Sequence, residues 1–258
     1  MTGVDARSGK RWTRWVWRAL GAVAVLMALA VAGFLVWALT PLGPEQSALD
    51  ALESDSTVYV TEVDGGWLFT PVTDGGGSGL VLYPGGRVDP RSYAPLARDV
   101  AEAGYPVALA SMPLNLAVLD VDRAEQLMDT APDVSRWAVG GHSLGGAMAA
   151  TYAADADPRV AGLVLLAAYP PDSTDLSLTG LVALSAVGDA DEVVDMQVWE
   201  QARVRLPPEA EYLVIKGGNH AGFGDYGAQP GDGEATISAA EQRATTVASV
   251  VDLLEGLQ

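Results

Sequence analysis

Cysteine is absent from the 258 residues. That excludes disulfides, cysteine-ligated zinc, iron–sulfur clusters and a cysteine nucleophile, but it leaves the redox compartment open, because either suits a cysteine-free chain. Histidine is scarce too. His142 and His220 are the two in the chain, so chemistry that needs an imidazole must draw on one of them. Basic residues are also few, 15 Lys and Arg against 33 Asp and Glu, for a net charge of −18. Five of the 15 (Arg7, Lys10, Arg11, Arg14 and Arg18) precede a long apolar run, with Asp5 the one acidic residue beside them. The remainder therefore carries 10 basic and 32 acidic residues, a formal −22. A surface of that sign repels phosphate backbones and anionic lipid headgroups, which argues against a nucleic-acid partner. Its plainest use is solubility.

Long apolar runs are likewise few, and one stands out. Ala19–Leu39 is 21 residues without a charge, roughly 30 Å as a helix, the depth of a bilayer's hydrocarbon core. Trp12, Trp15 and Trp17 lie before it and Trp37 at its far end, as interfacial anchors do. A cleavable signal peptide is the competing reading. Against it, the run is longer than a signal core, and the small-x-small candidate Ala38-Leu39-Thr40 is followed by Pro41. The expected organisation is a basic cytoplasmic N-terminus (1–18), a transmembrane anchor (19–39), a linker (40–56) with a helical turn or two, and an extracytoplasmic domain (57–258). The protein is then a single-pass protein of the cell membrane.

The domain alternates in period. Thr57–Val63 and Trp67–Pro71 are β-rich and meet across Asp64-Gly65-Gly66, a hairpin signal. A glycine-rich turn, Asp74–Gly79, leads into the apolar strand Leu80–Tyr83. Helices are expected over Ser92–Ala103, Asp120–Asp129, Leu144–Ala154, Met196–Arg205 and Thr236–Leu257. Strands are expected over Pro106–Ala110, Arg136–Gly140, Val160–Ala167, Leu181–Val187 and Tyr212–Lys216. A hairpin followed by alternating strands and helices predicts an α/β fold, a mostly parallel sheet of about eight strands with helices on both faces. The roughly 13 residues between the strands at Ala167 and Leu181 leave no room for a large lid.

Gly141-His142-Ser143-Leu144-Gly145 has the spacing of a nucleophile elbow, with an apolar strand running in and a small-residue helix running out. A serine on so tight a strand-to-helix turn leaves no space for side chains two residues either side. The helix N-terminus then offers N–H groups to developing negative charge. His220, in a glycine-rich loop after the last strand, can reach the serine edge of a parallel sheet and act as base. His142 adjoins the serine and cannot easily curl back to serve it, so it is read as packing beside the elbow. Asp189, Asp191 and Glu192 follow the Leu181–Val187 strand and compete as the acid. Asp191 is favoured, because Val193-Val194 after it lets the carboxylate turn inward. For the oxyanion hole, Leu144 supplies one N–H. The loop Pro84-Gly85-Gly86-Arg87 supplies the other, with Gly86 first and Arg87 second.

With these residues in place, the sequence resembles the α/β-hydrolase superfamily from about Val58 onward. The order Ser143, Asp191, His220 matches that family's nucleophile–acid–histidine order, and Gly188-x-x-Asp191-x-x-Val194 is similar to its acid loop. Tyr83–Pro90, Pro113–Leu116 and Gly218–Tyr226 resemble a dienelactone-hydrolase-like branch, although true dienelactone hydrolases carry cysteine where Ser143 stands. The resemblance implies hydrolysis of ester or related acyl bonds in small molecules through an acyl-enzyme, with no cofactor and no metal. Acyl transfer by the same triad and a non-catalytic binding domain are the alternatives. Tyr93, Met112, Leu114, Asn115, Tyr169, Phe223 and Tyr226 are candidate pocket walls.

Overall fold

The structure, a computed structural model, describes residues 7–73, 76–155 and 157–257. Part of the basic N-terminal segment (1–6) and part of the Asp74–Gly79 turn lie outside them. Two units result, Met1–Thr40 and Pro41–Gln258. The first is one helix, α1 (Arg7–Leu39), of which Arg14–Leu39 has a mean hydropathy of 2.6. It is long and apolar enough to cross a membrane.

The second unit holds one eight-stranded sheet: β1 (Val58–Val63), β2 (Gly66–Pro71), β3 (Ser78–Tyr83), β4 (Val107–Ala110), β5 (Arg136–His142), β6 (Val160–Leu166), β7 (Val182–Gly188) and β8 (Glu211–Ile215). Their spatial order is β1-β2-β4-β3-β5-β6-β7-β8. β1 and β2 form an antiparallel hairpin and β2 runs antiparallel to β4, while β3 to β8 are parallel. The hairpin turns at Asp64-Gly65, where Gly65 takes φ +91°. Asp-Gly suits such a turn because the glycine has no Cβ to clash. The expected α/β architecture and strand count hold.

Helices cover both faces. α2 (Gln46–Asp50), α3 (Ala94–Glu102) and α7 (Ala239–Glu255) pack on one side with Leu80, Leu82, Ala138 and Val164; α4 (Arg123–Met128) and α5 (Leu144–Ala154) pack on the other with Val81, Tyr83, Trp137 and Val139. α6 (Met196–Ala202) completes the set. Successive residues of β3 thus feed opposite cores, so every one of them is buried. Residues 41–56, expected as a linker, belong to the compact unit: Leu42 N–H donates to Arg87 O, Asp89 N–H donates to Leu42 O, and Ala48 and Ala51 are buried.

This topology positions the site. The chain leaves β3 for β4 on one side and crosses back to β5 on the other. At that switch point the loops at the strand C-termini part and leave a crevice. The parallel strands end at Tyr83, Ala110, His142, Leu166, Gly188 and Ile215, so the segments following each of them share one edge.

Candidate active site

Ser143 stands alone between β5 and α5, with φ 52° and ψ −122°. That is a region L-residues avoid, at about 1–3 kcal/mol. The surroundings hold it there. Its N–H donates to Leu166 O at 2.9 Å, and its carbonyl accepts the first helical bond, from Ala147 N–H at 3.1 Å. The flanking glycines are required by space. A Cβ on Gly141 would lie 2.6 Å from Tyr83 O, and one on Gly145 would collide with Pro84 O. The elbow therefore packs directly under the Tyr83–Gly86 segment.

His220 and Asp191 are both buried, and His220 Nδ1 lies 2.9 Å from Asp191 Oδ2. The other carboxylate oxygen, Oδ1, accepts the N–H groups of Val193 and Val194, each at 2.8 Å. One oxygen is spent on its own loop, and that aims the other at the imidazole. The neighbouring acids do different work. Asp189 is exposed and accepts Gly217 N–H at 2.5 Å, and Glu192 is exposed. Because Asp191 accepts the hydrogen bond from Nδ1–H, Nε2 of His220 is the nitrogen left for the cavity that Ser143 also lines.

Two clamps on the His220 loop have no local signature in the sequence. Gln242, buried on α7, accepts Asn219 N–H at 3.0 Å and donates to Asn219 O at 2.8 Å. Its amide pairs with Asn219 as another backbone would, and a Cβ on Gly222 would collide with it. Asp232 accepts the N–H groups of His220 and Ala221 at 3.2 and 2.8 Å. The one available hint was glycine density around His220, which signals close approach without naming the partner.

On the opposite rim, Val88 N–H donates to Gly85 O at 3.2 Å and closes a turn. Arg87 in that turn has φ 57°, and its N–H donates to Asn115 O at 2.8 Å. The second-choice oxyanion donor is thus engaged elsewhere. Gly86 lies against Leu144, whose Cδ2 would be 3.1 Å from a Cβ on Gly86. The two first-choice residues are brought together.

A cavity of about 290 Å³ opens here, lined by Ser143, Leu144, Ala147, Ala167, Ala168, Tyr169, Val193, Val194 and His220. Of the expected walls, Tyr169 is among them. Tyr93, Phe223 and Tyr226 lie behind it, buried around the ring of His142, and Met112 belongs to the core against α4 and α5. The small residues after β6 were missed because alanines give no chemical signal.

The fold is shared with solved esterases. An esterase from Pseudomonas putida matches with TM-score 0.57 and 18% identity over 82% of this chain and 88% of its own. Carboxyl esterase 2 from the fungus Tuber melanosporum matches with TM-score 0.56 and 13% identity over 84% and 91%. A carboxylesterase from Bacillus subtilis matches with TM-score 0.55 and 13% identity over 81% and 95%. No curated protein sequence matches the chain. At such identities the structures speak for the fold alone, whereas the family model for the alpha/beta hydrolase family matches residues 79–244 directly, from β3 through the elbow and the His220 loop into α7. By that match, and by a sheet whose loops converge where the family's fold requires, the chain belongs to the alpha/beta hydrolase family.

Proposed function

We propose that the protein is a serine hydrolase of ester or related acyl bonds, held at the cell membrane by α1 with its catalytic unit on the extracytoplasmic side. The carrying observation is the buried His220–Asp191 pair facing the same cavity as a serine held in a strained turn. In this reading His220 Nε2 takes the Ser143 proton as the hydroxyl oxygen attacks the acyl carbon, and the resulting oxyanion is met by the N–H groups of Leu144 and Gly86. The imidazolium returns its proton to the leaving group, and water repeats the sequence to free the acid. Asp191 holds the imidazole in one tautomer and stabilises its charged form. Ser143 and His220 line the same cavity, and the direct hydrogen bond from Oγ to Nε2 that the transfer needs is made on forming the reactive complex, as in other such pairs.

The apolar lining, the absence of a charged wall other than the mechanism's own groups, and the size of the cavity favour short uncharged acyl groups. Membrane attachment is supported by the length and apolarity of Arg14–Leu39, and sidedness by the basic residues ahead of it.

The test is labelling with a fluorophosphonate probe. The parent protein should be labelled, and Ser143→Ala and His220→Ala should not. Labelling that persists unchanged in His220→Ala removes the histidine from the mechanism, and persistence in Ser143→Ala removes the serine. On p-nitrophenyl esters of increasing chain length, kcat/KM should peak at short acyl groups. A peak at long chains would contradict the assigned cavity.

A further inference from the structure

His142 does not line the cavity, yet its ring packs against the imidazole that does. It is buried, and its ring centroid lies 4.4 Å from that of His220. On its other side Nδ1 lies 2.8 Å from the hydroxyl of Tyr93, itself fully buried at the end of the 3₁₀ turn Pro90–Tyr93. The same hydroxyl accepts Gly85 N–H at 3.0 Å. A Cβ on Gly85 would lie 2.8 Å from both atoms, so only glycine allows this approach.

The proton count follows from the donors. A tyrosine hydroxyl has one proton, and among the described residues His142 Nδ1 is the acceptor within its reach, so the hydroxyl receives the Gly85 N–H and gives its own proton to Nδ1. His142 must then be the neutral tautomer with its proton on Nε2. Burial works the same way on both groups. It pushes the Tyr93 hydroxyl up, against a smaller opposing effect of the Gly85 N–H, and keeps it a donor. Burial first, and then the neighbouring His220, hold His142 well below the ordinary histidine range, against a smaller opposing effect of the His220 backbone. A neutral ring can lie against His220 without repelling the imidazolium that forms there.

The Gly85–Gly86 peptide is where the two ends of this contact meet. Gly85 is pinned through its N–H by Tyr93 and through its carbonyl by Val88 N–H. In a trans peptide the N–H points opposite to the C=O, so fixing Gly85 O inside the turn turns Gly86 N–H outward. We propose that Tyr93 and His142 are positioning residues acting as one unit, which aims the Gly86 N–H at the oxyanion position and seats the His220 ring at the same time. This rests on the reading of Ser143 and His220 as nucleophile and base.

The experiment compares Tyr93→Phe, His142→Ala, His142→Asn and the double variant Tyr93→Phe/His142→Ala in the full-length protein in detergent. The readouts are kcat and KM on p-nitrophenyl acetate and Tm by circular dichroism. Tyr93→Phe should lower kcat by about tenfold or more with KM held, because a misaimed donor forfeits part of the ~100-fold that an oxyanion contact supplies. His142→Ala should lose at least as much. His142→Asn should recover most of it, since its Oδ1 stands near the place of Nδ1 and accepts the same proton. The double variant should be no slower than the worse single, as members of one unit behave. A folded Tyr93→Phe with parental kcat overturns the proposal, and so do losses that multiply in the double variant. If Tyr93→Phe does not fold, the histidine pair decides: Asn no better than Ala rejects the unit. Parental turnover in Ser143→Ala would instead overturn the underlying reading.

Discussion

Asp189 and Asp191 stand two positions apart on one loop and meet different partners: Gly217 N–H for the first, His220 Nδ1 for the second. Asparagine at either place keeps an acceptor oxygen, so the two substitutions separate charge from geometry. Asp191→Asn should lower kcat by about 10⁴-fold, because an amide favours the wrong tautomer and leaves the imidazolium unsupported. Asp189→Asn, at an exposed position, should stay close to the parent, where such changes move stability by about 0.5 kcal/mol or less. Steady-state kinetics on both variants checks the pair, and equal losses would refute the assignment of Asp191. At this scale Ser143, His220 and Asp191 were legible because each obeys a rule local in the chain: glycine spacing, the scarcity of histidine, and distance from a strand end. Tyr93, expected as a pocket wall, lies instead behind the cavity against His142. Asp232 and Gln242 obey no such local rule. They reach the site only after the chain has folded, and nothing in the residues around them anticipates it.

Among the elements, all eight strands appear near their expected positions: short apolar runs mark the strands buried on both faces, and the turn signal at Asp64-Gly65-Gly66 marks the β1–β2 hairpin. The helices deviate more. Ser92–Ala103 divides into a 3₁₀ turn and α3, and Asp120–Asp129 contracts to α4 after a separate turn at Ala117–Leu119. Expected to start at Thr236, α7 begins at Ala239, because Ser238 caps it. Its side chain accepts Glu241 N–H at 3.2 Å, while the Glu241 carboxylate accepts Ser238 N–H at 2.9 Å. This reciprocal pair is written in Ser238-Ala-Ala-Glu241 and was readable in advance. Ser238→Ala should cost about 1 kcal/mol of stability. Gln242→Ala, one turn further on, strands the part-buried N–H and C=O of Asn219 and should cost about 1–3 kcal/mol. It should also depress kcat, whereas the cap variant should spare turnover at low temperature. Thermal melts beside kinetics separate the two.

At the scale of the whole molecule, the division at Thr40–Pro41 assigns residues 41–56 to the folded unit. The sequence there, rich in Pro, Glu, Ser and Asp, reads as a tether. What it conceals is that Leu42 pairs with Val88 in the turn after β3 and that Ala48 of α2 and Ala51 just after it are buried. A chain starting at Pro41 should therefore be soluble and retain kcat. One starting at Thr57 loses the Leu42 pairing and should be inactive or unfolded. Expression of both without detergent, with turnover measured on each, tests this. Parental activity from the shorter chain would show that residues 41–56 are dispensable.

The seat of the imidazole is fastened by two side chains, the Gln242 amide from α7 and the Asp232 carboxylate. Loops held by a few hydrogen bonds open at free energies well below that of global unfolding. Warming should therefore silence turnover while far-ultraviolet circular dichroism still reads native, and cooling should restore it. In such a protein the assay is a finer thermometer than the spectrum, and inactivation below Tm should be a reversible release of the His220 loop rather than loss of the sheet.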